Sequence, residues 1–343
     1  MVETINYFIP PEVGRVSVLA DELAPLPANA CDAFIHAYVA DGGLVWDPFC
    51  RSDAVARATA RQGKRAYLSD FNPLIAFIVQ ATLHPVSTRQ LDRAFAALAV
   101  TPTLQTTLEA YINSLYATTC PICGAATTAR SYTWGADDNT LREKEFHCLT
   151  CNQIRRTPVD ENDRAILARI EERGRAYWSL LERLGASDGM LRPLGERLLD
   201  LYTPRSLYAL STIQSKLEMA SIERLPQEVL MLALLEAMVQ GIKTYVDDRG
   251  HCRRAGLARS ASPRPAILIE KNCWTLFADA CAPQRARLEV ESRNAPYLAA
   301  RQAEGEQEAP QIAVRQASAR RAAADIKEKS VDLILSAPPV LDW

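Results

Sequence analysis

Two CxxC pairs constrain this chain more than any other feature. Cys120-Pro-Ile-Cys123, followed by Gly124, and Cys148-Leu-Thr-Cys151 stand 24 residues apart. Each CxxC sets two thiolates on one tight knuckle, and two knuckles complete a tetrahedron around Zn²⁺. A redox or chance pair does not account for two of them. Gly124 suits the turn after the first pair, and TARSYTW and EKEFHC supply strand-like flanks. The spacing predicts a zinc ribbon over residues 118–156, with Cys120, Cys123, Cys148 and Cys151 as ligands. His147 adjoins Cys148 but is not needed, because four thiolates already fill the coordination sphere. Such a closed site is structural, with no open position for water.

The other five cysteines, at 31, 50, 252, 273 and 281, are scattered. That pattern favours a metal site plus free thiols over a disulfide framework. With 343 residues the chain is long enough for about two domains, each with its own core. It has no apolar run of about 18 residues, which argues against a membrane span. The start, MVETINYFIPPEVGR, lacks the basic and apolar regions of a signal peptide, so the expected location is cytoplasmic. A net charge of −2 argues against a basic coat over the whole surface and leaves room for a local basic patch.

Residues 43–70 read as strand, helix, strand. Leu44-Val45-Trp46 is a short apolar run ending in Asp47-Pro48-Phe49. SDAVARATARQ is a good helix former, with Ser52 or Asp53 as its cap and Gly63 as its terminator. RAYLS is a second strand ending in Asp70, and Asn72-Pro73 opens an apolar helix. The length suits one βαβ crossover. In nucleotide-binding units the ligand lies at the carboxyl ends of the strands, and an acid about 20 residues after the first turn accepts from the ribose hydroxyls. Asp47 and Asp70 fit that spacing, although any βαβ unit can end its strands in Asp. Near the other end, SVDLILSAPPVLDW reads as a buried strand over 331–335 and a rigid turn at Pro338-Pro339.

These segments resemble the motifs of the zinc-ribbon-containing, adenine-specific DNA methylases, which are N6-adenine and N4-cytosine amino-methyltransferases. VWDPFCRSDAVARATARQGKRAYLSDFNP is similar to their S-adenosylmethionine motif, roughly DPFxGSG, a helix, a Gly, a strand and DxNP. Asp47, Pro48, Phe49, Ser52, Gly63, Asp70, Asn72 and Pro73 fall in register. The resemblance implies S-adenosylmethionine binding by Asp47, Pro48, Phe49, Ser52, Asp70 and Asn72. Arg51 and Asp53 replace the turn glycines, adding bulk and charge beside the methionine moiety. SAPPV is similar to the catalytic motif (D/N/S)PP(Y/F/W), which holds the target amino group and stacks on a flipped base. Here Ala337, Pro338, Pro339 and Val340 occupy it, so the polar and aromatic positions are altered. IAVRQASARRAAADI matches a strand and a usually acidic turn, filled here by Ala317-Ser318.

The resemblance implies a fold: a partial, Rossmann-like methyltransferase α/β core at 1–117 and 266–343. A zinc ribbon is inserted at 118–156 and a helical insertion at 157–265. The helical pattern covers 86–117 and 158–245, including LMLALLEAMVQGI, while 246–265 has loop composition. Within the insertion, Thr203-Pro204-Arg205 opens a helix and resembles the family's TPR segment; ILIEKNCWTLF, with Glu270, Asn272, Trp274 and Phe277, resembles the segment that follows it. Arg205 could reach a phosphate or neutralise a neighbouring carboxylate. Arg249, Arg253, Arg254 and Arg259 make the loop basic: either a phosphate-neutralising DNA contact or a solvated run.

The family's sheet continues past the Pro-Pro motif, whereas this sequence stops at Trp343. The expectation is that a second polypeptide or a dimer completes the sheet, or that the chain is truncated. Function then reads as methyl transfer to adenine N6 or cytosine N4. The alternatives are a non-enzymatic DNA-binding or regulatory relative, or one half of a split methylase.

Overall fold

The computed structural model describes residues 9, 26–83, 85–185, 189–247, 249–256, 267–294 and 312–337. It is a mixed α/β protein in two compact units. One unit comprises residues 1–91, 224–232 and 283–343; the other comprises 92–223 and 233–282. Among the described residues no helix is long and apolar enough to cross a membrane.

The first unit holds a four-stranded parallel sheet. Its strands in chain order are Leu44–Asp47, Arg65–Asp70, Ile312–Gln316 and Leu333–Ile334. In space they run third, second, first, fourth. Apolar side chains on both faces explain why the sheet is sandwiched by helices. On one face Val45 packs with Cys31, Ile35 and Val39 of helix Ala28–Tyr38 and with Val55 and Ala58 of helix Ala54–Arg61. On the other, Ala66 and Leu68 pack with Val79 of helix Pro73–Thr82.

The local signals act as their chemistry dictates. Asn72 Oδ1 accepts from Leu74 N at 2.9 Å and Pro73 occupies the first helical position, so Asn72-Pro73 starts the helix. Gly63 sits at φ +68°, a left-handed conformation that ends helix Ala54–Arg61 without a Cβ penalty. Between positions 331 and 335 only Leu333–Ile334 forms strand.

The second unit is built on a seven-stranded antiparallel sheet. Its order is Cys252–Arg254, Thr244–Val246, Ile267–Lys271, Ala126–Gly135, Leu141–Cys148 and Gln153–Pro158, with Ala117–Thr119 also pairing on Ala126–Gly135. Three differences from the sequence reading follow. Residues 267–271, expected in the α/β core, instead add a strand beside the ribbon, Ile267 to Lys271 facing Gly135 to Ser131. The loop expected at 246–265 contains a hairpin strand, Cys252–Arg254, paired with Thr244–Val246. The helical run expected at 86–117 is broken after helix Thr88–Ala99 by a small hairpin, Pro102–Thr103 with Thr106–Thr107. In each case pairing with a strand remote in sequence, or a tight turn, overrides local composition.

From 161 to 240 the helical expectation holds. Helix Glu161–Ala168 is closed by a capping box between Asp160 and Asp163. Helix Pro204–Met219 starts where Thr203 Oγ1 accepts from Ser206 N. Helix Arg224–Gln240 buries Val229, Leu230, Leu232, Ala233, Leu234 and Ala237.

Candidate functional site

The structure assembles two sites, one in each unit. In the first, the parallel sheet presents Asp47 and Asp70 at the carboxyl ends of adjacent strands, paired in register from Leu44 with Arg65 to Asp47 with Leu68. Asp47 is only 3% exposed. Its Oδ1 accepts from Ser336 Oγ at 2.5 Å and from Phe49 N at 3.2 Å. Burial pushes the Asp47 carboxyl up to about 6; the Ser336 hydroxyl and Phe49 N–H oppose that rise, and the nearby Asp70 charge adds to it. Burial also raises Asp70, against the N–H of Asn72 (2.7 Å to Oδ1) and the Arg51 charge.

Around this pair the remaining residues of the motif take distinct places. Pro48 is buried, while Phe49 is 36% exposed. Ser52 Oγ accepts from Ala54 N at 3.3 Å, at the start of the helix. Asp53 is engaged elsewhere: it pairs with Arg57 at 2.5 Å, and Arg57 with the Arg287 charge holds its carboxyl below the usual range despite burial. The charge that sequence reading placed beside a methionine moiety is thus neutralised within the fold. Ser318 Oγ accepts from Arg321 N and caps helix Ala319–Ala324, which gives the acid-free turn a structural role. Ala337 lies at the end of the described chain; Pro338, Pro339, Val340 and Trp343 lie outside the described residues.

Sequence reasoning missed two residues here. Ser336 bridges the first and fourth strands by donating to Asp47 while accepting from Phe49 N at 3.2 Å. Its signal was a hydroxyl one place before the Pro-Pro motif. Phe71, next to Asp70, is 79% exposed, an aromatic face at the same sheet edge.

A buried acid with a raised pKa carries a testable cost. Asp47 rises from 3.8 to about 6, so its contribution to stability is complete below pH 3.8 and is lost as pH climbs through 6. Asp47→Asn keeps an acceptor for Ser336 and removes the charge. Chemical denaturation is expected to find this variant roughly 2–3 kcal/mol more stable at pH 7.5 than wild type, with the gap closing at pH 4. A pH-independent gap would show that Asp47 does not titrate in this window.

In the second unit the four predicted ligands converge. The Sγ atoms of Cys120, Cys123, Cys148 and Cys151 lie within 4.8 Å of one another. Cys120 and Cys151 are 4.0 Å apart, and Cys123 and Cys148 3.5 Å. A tetrahedron with Zn–S bonds of about 2.3 Å has S···S edges of about 3.8 Å, so the spacing fits Zn²⁺. Gly124, at φ +70°, turns the first knuckle, and its N–H donates to Cys120 O at 2.9 Å. Asn152, at φ +52°, takes the equivalent place after the second knuckle. Asn tolerates that conformation better than most residues, which is why no second glycine marks it in the sequence.

The thiols of the cluster shift in opposite directions. Backbone N–H groups of Cys123 and Ile122 lower the Cys120 thiol to about 6, whereas hydrogen bonds among the neighbouring thiols raise Cys151 to about 12. Four thiolates this close need a positive charge between them to ionise together. Cys120 and Cys148 are buried against Phe146, so the cluster is compatible with a structural zinc.

The same unit settles the role of Arg205. It is fully buried, and its Nε lies 2.8 Å from Glu270 Oε1. Its guanidinium stacks 4.2 Å from the Tyr132 ring centre and 5.2 Å from that of Tyr116, and Nη1 donates to Leu115 O at 3.0 Å. Trp134 Nε1 donates to Glu270 Oε2 at 2.7 Å. The two sequence segments singled out around Arg205 and Glu270 therefore meet in one core, and Arg205 neutralises a carboxylate there. Asn272 caps the following helix, its Oδ1 accepting from Trp274 N at 2.9 Å. Trp274 and Phe277 pack on Phe95.

Of the basic residues, Arg249 follows Asp247 in the hairpin turn, and Arg253 and Arg254 lie on its second strand; all three are exposed. Arg259 lies outside the described residues. No family model, curated protein or solved structure matches this chain.

Proposed function

We propose that the chain is a DNA amino-methyltransferase-like protein that holds S-adenosylmethionine at the carboxyl edge of its parallel sheet. One observation carries the reading: the strand order third, second, first, fourth, with Asp47 and Asp70 ending its two middle strands. Such an order reverses beside the first strand, and ligands of open α/β sheets bind in the crevice outside that switch point. Asp70 is suited to accept from the ribose hydroxyls, and the exposed Phe71 ring offers a face to adenine. Asp47, held by Ser336 and Phe49 N, fixes the turn beneath the ligand. When bound, the cofactor supplies an electrophilic methyl group. The four-thiolate site stiffens the second unit and takes no part in transfer.

A second reading, a non-enzymatic DNA-binding relative, is favoured by Ala337. Its methyl side chain cannot accept from a target amino group. DNA contact in either reading falls to Arg249, Arg253 and Arg254 on the hairpin, whose exposure suits phosphate neutralisation.

Calorimetry of the zinc-loaded full chain tests the cofactor. Saturable S-adenosylmethionine binding is expected, weakened at least tenfold in Asp70→Ala; no binding by wild type at millimolar ligand refutes the cofactor site. Transfer of a labelled methyl group to duplex DNA above blank would eliminate the non-enzymatic reading.

A further inference from the structure

The second unit contains a groove of about 620 Å³. That is within the usual range of small-ligand sites, roughly 300–1,000 Å³. It plays no part in the sites described above. Its floor is apolar, with Ile166, Ile170 and Leu207. Tyr111 and Tyr208 line it as well; their hydroxyls meet at 2.5 Å and their rings stand at 62°. Arg169 and Arg175 lie at the rim, both exposed. Neither arginine makes an ion pair or side-chain hydrogen bond among the described residues. Tyr177 also lines the groove; it is 4% exposed, and its hydroxyl finds no hydrogen-bond partner among the described residues. A buried phenol left in that state is out of keeping with a closed core, where such groups are paired.

Aromatic walls, an apolar floor and arginines at the mouth together suit a planar heterocycle joined to an anion. Unstacked bases lie against tyrosine rings, and guanidinium groups take phosphate oxygens in bidentate geometry. Glu171 and Glu172 also stand at the rim. They disfavour a bare polyanion and leave the base to supply much of the affinity.

We infer that this groove binds a nucleotide, with its base against Tyr111 and Tyr208 and its phosphate on Arg169 and Arg175. The same chemistry is offered by a free mononucleotide and by an unpaired stretch of DNA. This inference stands apart from the cofactor reading, because the groove lies wholly within the second unit and its assay contains no S-adenosylmethionine.

The test uses the zinc-loaded full chain with two probes: dAMP by calorimetry, and a fluorescein-labelled twelve-residue deoxyadenosine oligonucleotide by anisotropy across a salt series. Arg169→Ala/Arg175→Ala is expected to weaken oligonucleotide binding at least tenfold. It should also flatten the dependence of log K on log salt by about 1.4, two phosphate contacts at ~0.7 each for a single strand. Tyr111→Leu is expected to weaken binding about fivefold or more and leave the slope unchanged. If dAMP binds within tenfold of the oligonucleotide, the free nucleotide is the ligand; if only the oligonucleotide binds, it is the single strand. Zinc content and thermal melting establish that the variants are folded. Wild type that binds neither probe, or folded variants that all keep wild-type affinity and slope, would overturn the assignment.

Discussion

Replacing Cys148 with serine is expected to strip the chain of zinc and to melt the strands that carry the knuckles. Cys148 is wholly buried at the end of Leu141–Cys148, a strand hydrogen-bonded on both sides, to Ala126–Gly135 and Gln153–Pro158. Serine keeps the shape but offers no soft thiolate. Structural zinc contributes about 10–16 kcal/mol of apparent binding free energy in small zinc modules, and that binding is coupled to folding. Losing one of four thiolates forfeits enough of it to unfold the ribbon. Elemental analysis should therefore find close to one zinc per wild-type chain and a small fraction of that in the variant. Hydrogen exchange over residues 126–158 should accelerate by several orders of magnitude, and chelation of wild type should reproduce both effects. Equal zinc in the two proteins would remove the metal site.

The second large effect concerns the buried Arg205–Glu270 pair, both side chains being fully inaccessible. Removing one partner leaves the other charged in the core, so Arg205→Met and Glu270→Leu should each cost about 3–5 kcal/mol. In the double variant no charge is stranded, and most of the loss should be regained. Urea denaturation of the four proteins reads the coupling directly. Additive losses would mean that the two side chains act independently despite their 2.8 Å separation. Trp134 sharpens the expectation: its indole N–H needs the Glu270 carboxylate and stays unsatisfied when that group is removed.

What the sequence discloses about this molecule divides by the range of the interaction. The CxxC knuckles, the Asn72-Pro73 helix start and the Gly63 helix stop are set by neighbours a few residues apart, and the structure places each where its chemistry requires. Asp47 and Asp70 are legible for the same reason, being the ends of one strand–helix–strand unit. The rest depends on partners far along the chain. Nothing near Ile267–Lys271 says that it joins the ribbon's sheet rather than the parallel one: the apolar run Ile267-Leu268-Ile269 suits either, and the burial of Leu268 and Glu270 is decided by partners remote in sequence. Arg205 finds Glu270 across 65 residues, and Ser336 finds Asp47 across 289. Asn152 escaped notice because the left-handed turn it makes is usually marked by glycine.

The hydrogen-bonded neighbours Arg65–Asp70 and Ile312–Gln316 impose a schedule on biosynthesis. The ribosome makes the first of them, then 241 residues that belong to neither, before the second can emerge. At roughly 5–20 residues per second that interval is about 10–50 s. Throughout it the nascent strand–helix–strand fragment has two naked edges, one awaiting Ile312–Gln316 and the other Leu333–Ile334, each open to any passing strand. Meanwhile residues 92–223, with all four cysteines, are already available to capture metal. Maturation of this protein therefore proceeds from its middle outward, and the pace of elongation governs how long those edges stay unguarded.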